Sequence, residues 1–146
     1  MKAFGKVVLL VLSVVVLTGV ASGVALAAEK IGVIDPQRIM FNHPKFEETQ
    51  KKIQQVVESK QNEAKMAIET ESDNKKKADI YQKKREEAAT EQNKLMEPLF
   101  KDVDLAMRAV AKAKGITLVL DKGMVFFGGE DITNDIIQEL KKSASK

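Results

Sequence analysis

The chain has 146 residues, a length that suits one domain. It has no cysteine and one histidine, His43, so disulfides, Cys/His nucleophiles and Cys/His metal sets cannot be built. Lys and Arg number 24 against 21 Asp and Glu, for a net charge of +3 and a pI near 9.0.

The N-terminus reads as a secretory signal. Lys2 and Lys6 supply a positive start, an apolar run extends from Val7 to Leu17, and Ala25-Leu26-Ala27 offers the small-x-small pattern of a cleavage site. Cleavage between Ala27 and Ala28 removes two of the 24 bases and no acid, leaving 22 against 21, or +1. The high pI therefore overstates the basicity of the mature chain, and a general nucleic-acid-binding surface is not expected. The competing reading is an uncleaved anchor, since Val7 to Ala28 reaches the roughly 20 apolar residues that span a bilayer.

Behind the signal, Lys30-Ile31-Gly32-Val33-Ile34-Asp35 alternates as a strand does. Asp35-Pro36 then predicts a short helix, with Asp35 as cap and Pro36 at its first position. Asn42-His43-Pro44 breaks that helix, and His43 reads as a turn residue.

Residues 45–114 lack glycine and hold one proline, Pro98. Their Lys, Glu, Gln and Ala content predicts long helices. One apolar stripe runs through Phe46, Ile53, Val57, Ala64 and Ile68. A second runs through Tyr81, Ala88, Leu95, Leu99, Val103, Ala106, Val110 and Ala113. Two stripes on one chain suggest an antiparallel helical hairpin turning near residues 70–74, with arms of about 27 residues and about 40 Å. Lys60 and Arg85 fall on the stripes, so the arm is expected to be marginally packed. Pro98 is expected to kink the second helix at the shoulder, where it enters the body.

Gly115 ends the long helix. Ile116 to Leu120 and Met124 to Phe127 read as two strands, joined by a turn at Asp121-Lys122-Gly123. A closing helix follows, capped by Asp131 or Thr133, with Ile136, Ile137 and Leu140 on its buried face.

No catalytic, cofactor-binding or metal-binding set is found in this pattern, and an enzyme is not expected. One cluster stands out. Between Asp73 and Arg85, Lys75, Lys76, Lys77, Lys83, Lys84 and Arg85 face only two acids. With Ile80 and Tyr81 they form a candidate contact surface for a client or for anionic lipid headgroups. A solvated helix face is the plainer alternative.

Taken in order, these elements resemble the Skp/OmpH family of periplasmic chaperones. The resemblance rests on Lys30 to Asp35, on Ala109 to Asp121 across the helix-to-strand junction, and on Asp131-Ile132-Thr133 with Asp135-Ile136-Ile137 and Leu140. It implies an α+β fold, a small β body with an intersubunit sheet and a long antiparallel α-helical hairpin arm. Residues 1–27 would be the signal peptide, 28–44 and 98–146 the body, and 45–97 the arm. It implies a homotrimer, with Ile31, Val33, Leu118, Val119 and Phe126 in the trimer body. The arms would enclose unfolded outer-membrane proteins in the periplasm without ATP or any cofactor. The chain departs from the family in its shorter arms and near-neutral mature charge. A membrane-anchored structural coiled-coil protein of the envelope is the alternative function.

Overall fold

The computed structural model describes residues 29–145, so the signal segment and its cleavage site lie outside the described residues. The order is β1 (Ile31–Ile34), α1 (Pro36–Phe41), α2 (Phe46–Thr70), α3 (Asn74–Lys114), β2 (Leu118–Asp121), a 3-10 turn (Lys122–Met124), β3 (Glu130–Asp131) and α4 (Thr133–Ala144). The protein is mostly helical, with one small sheet. Among the described residues no helix is long and apolar enough to cross a membrane.

Local chemistry sets the element ends. The Asp35 carboxylate accepts the Arg38 amide at 2.9 Å and Pro36 opens α1, where a missing N–H costs nothing. Gly115 closes α3 at a φ of 67°, the left-handed conformation that glycine adopts most cheaply. Helix α3 runs unbroken through Pro98.

The sheet order is β2-β1-β3 and both pairings are parallel. This corrects the expected strand hairpin. Met124 to Phe127 forms no strand, and residues 121–123 do not turn one strand back on the other. The Asp121 carboxylate accepts the Gly123 amide at 2.8 Å and coils the chain into the 3-10 turn. Gly128 and Gly129, at φ 89° and 86°, then swing the chain across to the far side of β1, where Glu130 and Asp131 pair with Gly32 and Val33. The first of the two strands also shifts. Ile116 lies before β2 and is buried in the core, while Asp121 joins the strand.

Salt links pin the substitute strand. Glu130 bonds Lys114 and Lys30, each at 2.8 Å. These ammonium groups, Lys114 first, hold its carboxyl down at about 2. Their contribution is present above the ordinary value of 4.5 and is lost as pH falls towards 2. The Lys122 ammonium, and then Thr133, hold Asp131 far below the carboxylate range. Asp131 is the residue whose side chain caps α4, accepting the Thr133 amide at 3.0 Å. The buried Thr133 hydroxyl instead accepts the Asp35 amide, tying the start of α4 to the end of β1.

The core lies on one side of the sheet, where Ile39 of α1, Ala106 and Val110 of α3, Ile116, Ile132, and Ile136, Ile137 and Leu140 of α4 are buried together. Gly32 faces this core, since a side chain there would meet Ile116 and Ile132 at 3.1 Å. Strand alternation puts Ile31 and Val33 on the opposite face, beside their register partners Leu118 and Leu120.

The crossing at Gly129 is tight. A Cβ there would sit 2.7 Å from Val33 Cγ1, whereas one at Gly128 would meet nothing within 4 Å. Gly129→Ala is therefore expected to lose about 1–3 kcal/mol. Gly128→Ala carries only the backbone cost, about 1 kcal/mol. Urea unfolding of the two variants at equal protein concentration measures the difference.

Candidate functional surfaces

Two surfaces concern function: the tip and flanks of α2 and α3, and the outward face of the sheet. The chain leaves helix over Glu71–Asp73. There Glu71 Oε1 accepts the amides of Ser72 and Asp73 at 2.8 and 3.0 Å. Asp73 then caps α3, its Oδ1 accepting from Lys75 and Lys76 at 2.7 and 3.2 Å. The first turn of α3 holds no acid and carries Lys75, Lys76 and Lys77 against the positive end of the helix dipole.

Helical phase scatters the basic cluster. Lys77, Ile80 and Lys84 turn towards α2 and are partly covered. Lys75, Lys76, Lys83, Tyr81 and Arg85 are exposed. Lys84 is not available as a free contact, because its ammonium lies 2.7 Å from Glu63 and 3.0 Å from Glu87. It also replaces Arg85 as the charged residue in the seam, and Ile80 replaces Tyr81. Tyr81, Lys84 and Arg85 do come together along a shallow groove of about 290 Å³ between α2 and α3, opposite Val57, Lys60 and Ala64.

The middle of the seam is an ionic layer. Lys60 reaches Glu63, Glu87 and Glu91 at 3.4–3.5 Å, while Lys84 bridges Glu63 and Glu87. Hydrogen bonds from Lys84 lead in holding the Glu63 and Glu87 carboxyls below their usual range, and these two acids raise Lys84 in return. Partial burial pulls Lys60 down, but Glu87, Glu63 and Glu91 together outweigh it, so its net movement is upward. The apolar stripe showed Lys60 as a defect. The glutamates that complete the layer are invisible to a search for apolar periodicity, though Glu63 lies three residues after Lys60, Glu87 three after Lys84 and Glu91 four after Glu87.

The body residues divide. Ile31, Val33 and Leu118 share the outward face, where Gly129 covers Val33. Val119 points the other way and packs against the core of its own chain. Phe126 lies in the loop before β3 and is 106 % exposed, with Phe127 at 99 % and Met124 at 78 %. Composition alone could mark this apolar loop but not show that its own chain leaves it bare.

A search of the curated proteins finds no match to the chain. The family model described as outer membrane protein (OmpH-like) matches residues 68–140, half of the chain. The match runs from the end of α2 through the tip, all of α3, β2 and β3, to Leu140 of α4. The chain belongs to the OmpH-like outer membrane protein family.

Proposed function

We propose that this protein is an ATP-independent holding chaperone that shields unfolded outer-membrane proteins in the periplasm. Membership of the OmpH-like family, a family of outer-membrane-protein chaperones, carries the reading. In this reading the chain is exported, cleaved between Ala27 and Ala28, and works without a cofactor. Residues 45–97 form an antiparallel hairpin arm, and residues 28–44 and 98–146 form the body.

The geometry supports such an arm. Ion pairs join residue 60 to 87 and 91, and 63 to 84, so the helices run against each other. The 25 residues of α2 give about 37 Å of length. Most of that length presents Lys stems, Gln and Ala to solvent, surfaces that make many weak contacts and no tight one. A chaperone that releases its client without nucleotide needs that kind of contact, summed by confinement.

Homotrimer assembly explains the bare apolar surface of the body. Ile31, Leu118, Met124, Phe126 and Phe127 are exposed, and an apolar patch of this kind marks an interface. β3 is two residues long and the outer edge of β2 is unpaired in the chain, so neighbouring copies would also complete the sheet. The three lysines in the first turn of α3 favour an anionic partner, either an acidic client segment or lipid headgroups, since they oppose the helix dipole and stabilise nothing locally.

Three outcomes test these points. The mature protein, without nucleotide, is expected to keep an urea-denatured outer-membrane β-barrel from scattering light on dilution. Equal aggregation with and without it would exclude the holding function. Phe126→Asp combined with Phe127→Asp is expected to give monomers in light scattering, because an unpaired charge buried at an interface is costly. Replacing Lys75, Lys76 and Lys77 with Glu is expected to slow capture of a fluorescent client in stopped flow at low salt. That difference should shrink near physiological salt, where the Debye length is about 8 Å.

A further inference from the structure

The link between α1 and α2 contains the only histidine, and its ring is placed unusually for a turn residue. His43 is 5 % exposed, packed where the start of α2 meets α3. Helix α2 has no side-chain cap of the ordinary kind, since Lys45 occupies that position and its side chain bonds no amide. His43 does the work from two residues earlier. Its Nδ1 accepts the Lys45 amide at 3.1 Å, and its carbonyl accepts the Phe46 amide at 2.9 Å.

That bond fixes the tautomer. A nitrogen that accepts an N–H carries no proton, so the neutral ring holds its proton on Nε2. Nε2 is buried and has no hydrogen-bond partner in the protein. It lies 3.6 Å from Asp102 Oδ2 on α3, an oxygen that Lys45 Nζ also approaches at 3.6 Å. A cavity of about 350 Å³ opens beside the ring, bordered by Asp102, Leu105, Glu139 and Ser143.

A second proton has one place to go. It must sit on Nδ1, which faces the Lys45 N–H. Protonation therefore replaces an acceptor with a donor, opposes two N–H groups and removes the side-chain half of the α2 cap, leaving the carbonyl bond to Phe46. The same proton strengthens attraction between the ring and Asp102, and the neighbouring cavity gives the ring room to turn. We propose that His43 is a proton-sensitive latch at the root of α2: neutral, it caps the helix and holds its start against α3, and protonated, it lets that root go.

The surroundings set the sign. Burial lowers the His43 pKa from 6.5, the nearby Asp102 carboxylate raises it and the Lys45 charge lowers it, with a net lowering. Glu139 of α4 borders the same cavity and is the remaining charged group there. A histidine held low in the folded state contributes its stability above 6.5 and loses it as pH falls towards the folded value. The latch is thus closed at neutral pH and opens in mild acid. This inference stands on the α1–α2 link alone and does not depend on the chaperone reading.

Because the chain has one histidine, its imidazole nitrogens can be followed by NMR in the intact mature protein without assignment by mutation. The expected result is a neutral ring protonated on Nε2, titrating below 6.5, with the Lys45 and Phe46 amide signals moving at the same midpoint. Asp102→Asn should move that midpoint to lower pH, since it removes the charge that favours the imidazolium. In His43→Gln, which can still accept the Lys45 amide, those amides should stop responding between about pH 7.5 and about pH 5. An Nδ1-protonated neutral ring, or root amides that ignore the titration, would overturn the latch. So would an Asp102→Asn midpoint that stays or rises. The wild-type titration alone decides the matter if His43→Gln does not fold.

Discussion

The parallel pairing of β1 with both its neighbours is the constraint on which the rest of the structure depends. Two parallel strands cannot be joined by a tight turn, so the chain must travel and come back. Here it leaves at Asp35 and returns at Thr117, whose amide bonds the Lys30 carbonyl 2.9 Å away, 87 residues apart in sequence. Helices α1, α2 and α3 are that connection. The long paired helices are therefore not an appendage to the sheet but the route by which its central strand acquires a partner. The second parallel neighbour needs a shorter route, and the pair of left-handed glycines provides it.

The two ends of this connection are built by different means. In the body, Ile39, Ile132 and Ile136 are completely buried, and Thr133, also buried, donates no loose end because its hydroxyl takes the Asp35 amide. Along the paired helices away from that core, Ala64 and Leu99 are the fully covered apolar side chains, and the ion pairs of Lys60 and Lys84 lie among half-buried ones such as Ile53, Val57 and Leu95. Large apolar burial gives about 1.5–3 kcal/mol per side chain, while half-exposed ion pairs give far less. Large apolar burial is thus concentrated around the sheet and α4, and the long helices carry less of it along most of their length.

Much of this was legible in the sequence where a local rule governs. Asp35-Pro36 and Gly115 announced their helix ends because capping is chemistry within a few residues. Ile136, Ile137 and Leu140 announced the buried face of α4 through periodicity alone. The failures share a cause: each required knowing what lies across from a residue. Met124 to Phe127 has the composition of a strand, yet the Asp121 side chain coils the chain into a 3-10 turn and bends it away before it can fold back on β2. Val119 looks like any other apolar strand residue, and its face is decided by its register against Gly32. Lys84 and Arg85 are adjacent bases, and only the glutamates of α2 and α3 select Lys84 for the seam. His43 in Asn-His-Pro reads correctly as a turn, but burial of its ring by α3 cannot be seen from its neighbours in sequence.

The ionic layer also restricts how the two helices can slide. With residue 60 level with 87 and 63 level with 84, a slip of one heptad in one direction would bring Lys60 against Lys94 and Glu63 against Glu91. The opposite slip would set Lys60 against Ile80 and Lys84 against Val56. The first meets like with like, and the second leaves ammonium groups facing hydrocarbon. A seam made only of alanine and aliphatic residues would accept either offset nearly as well. A few charges at mid-length thus act as a vernier, and they hold α2 at one offset along α3.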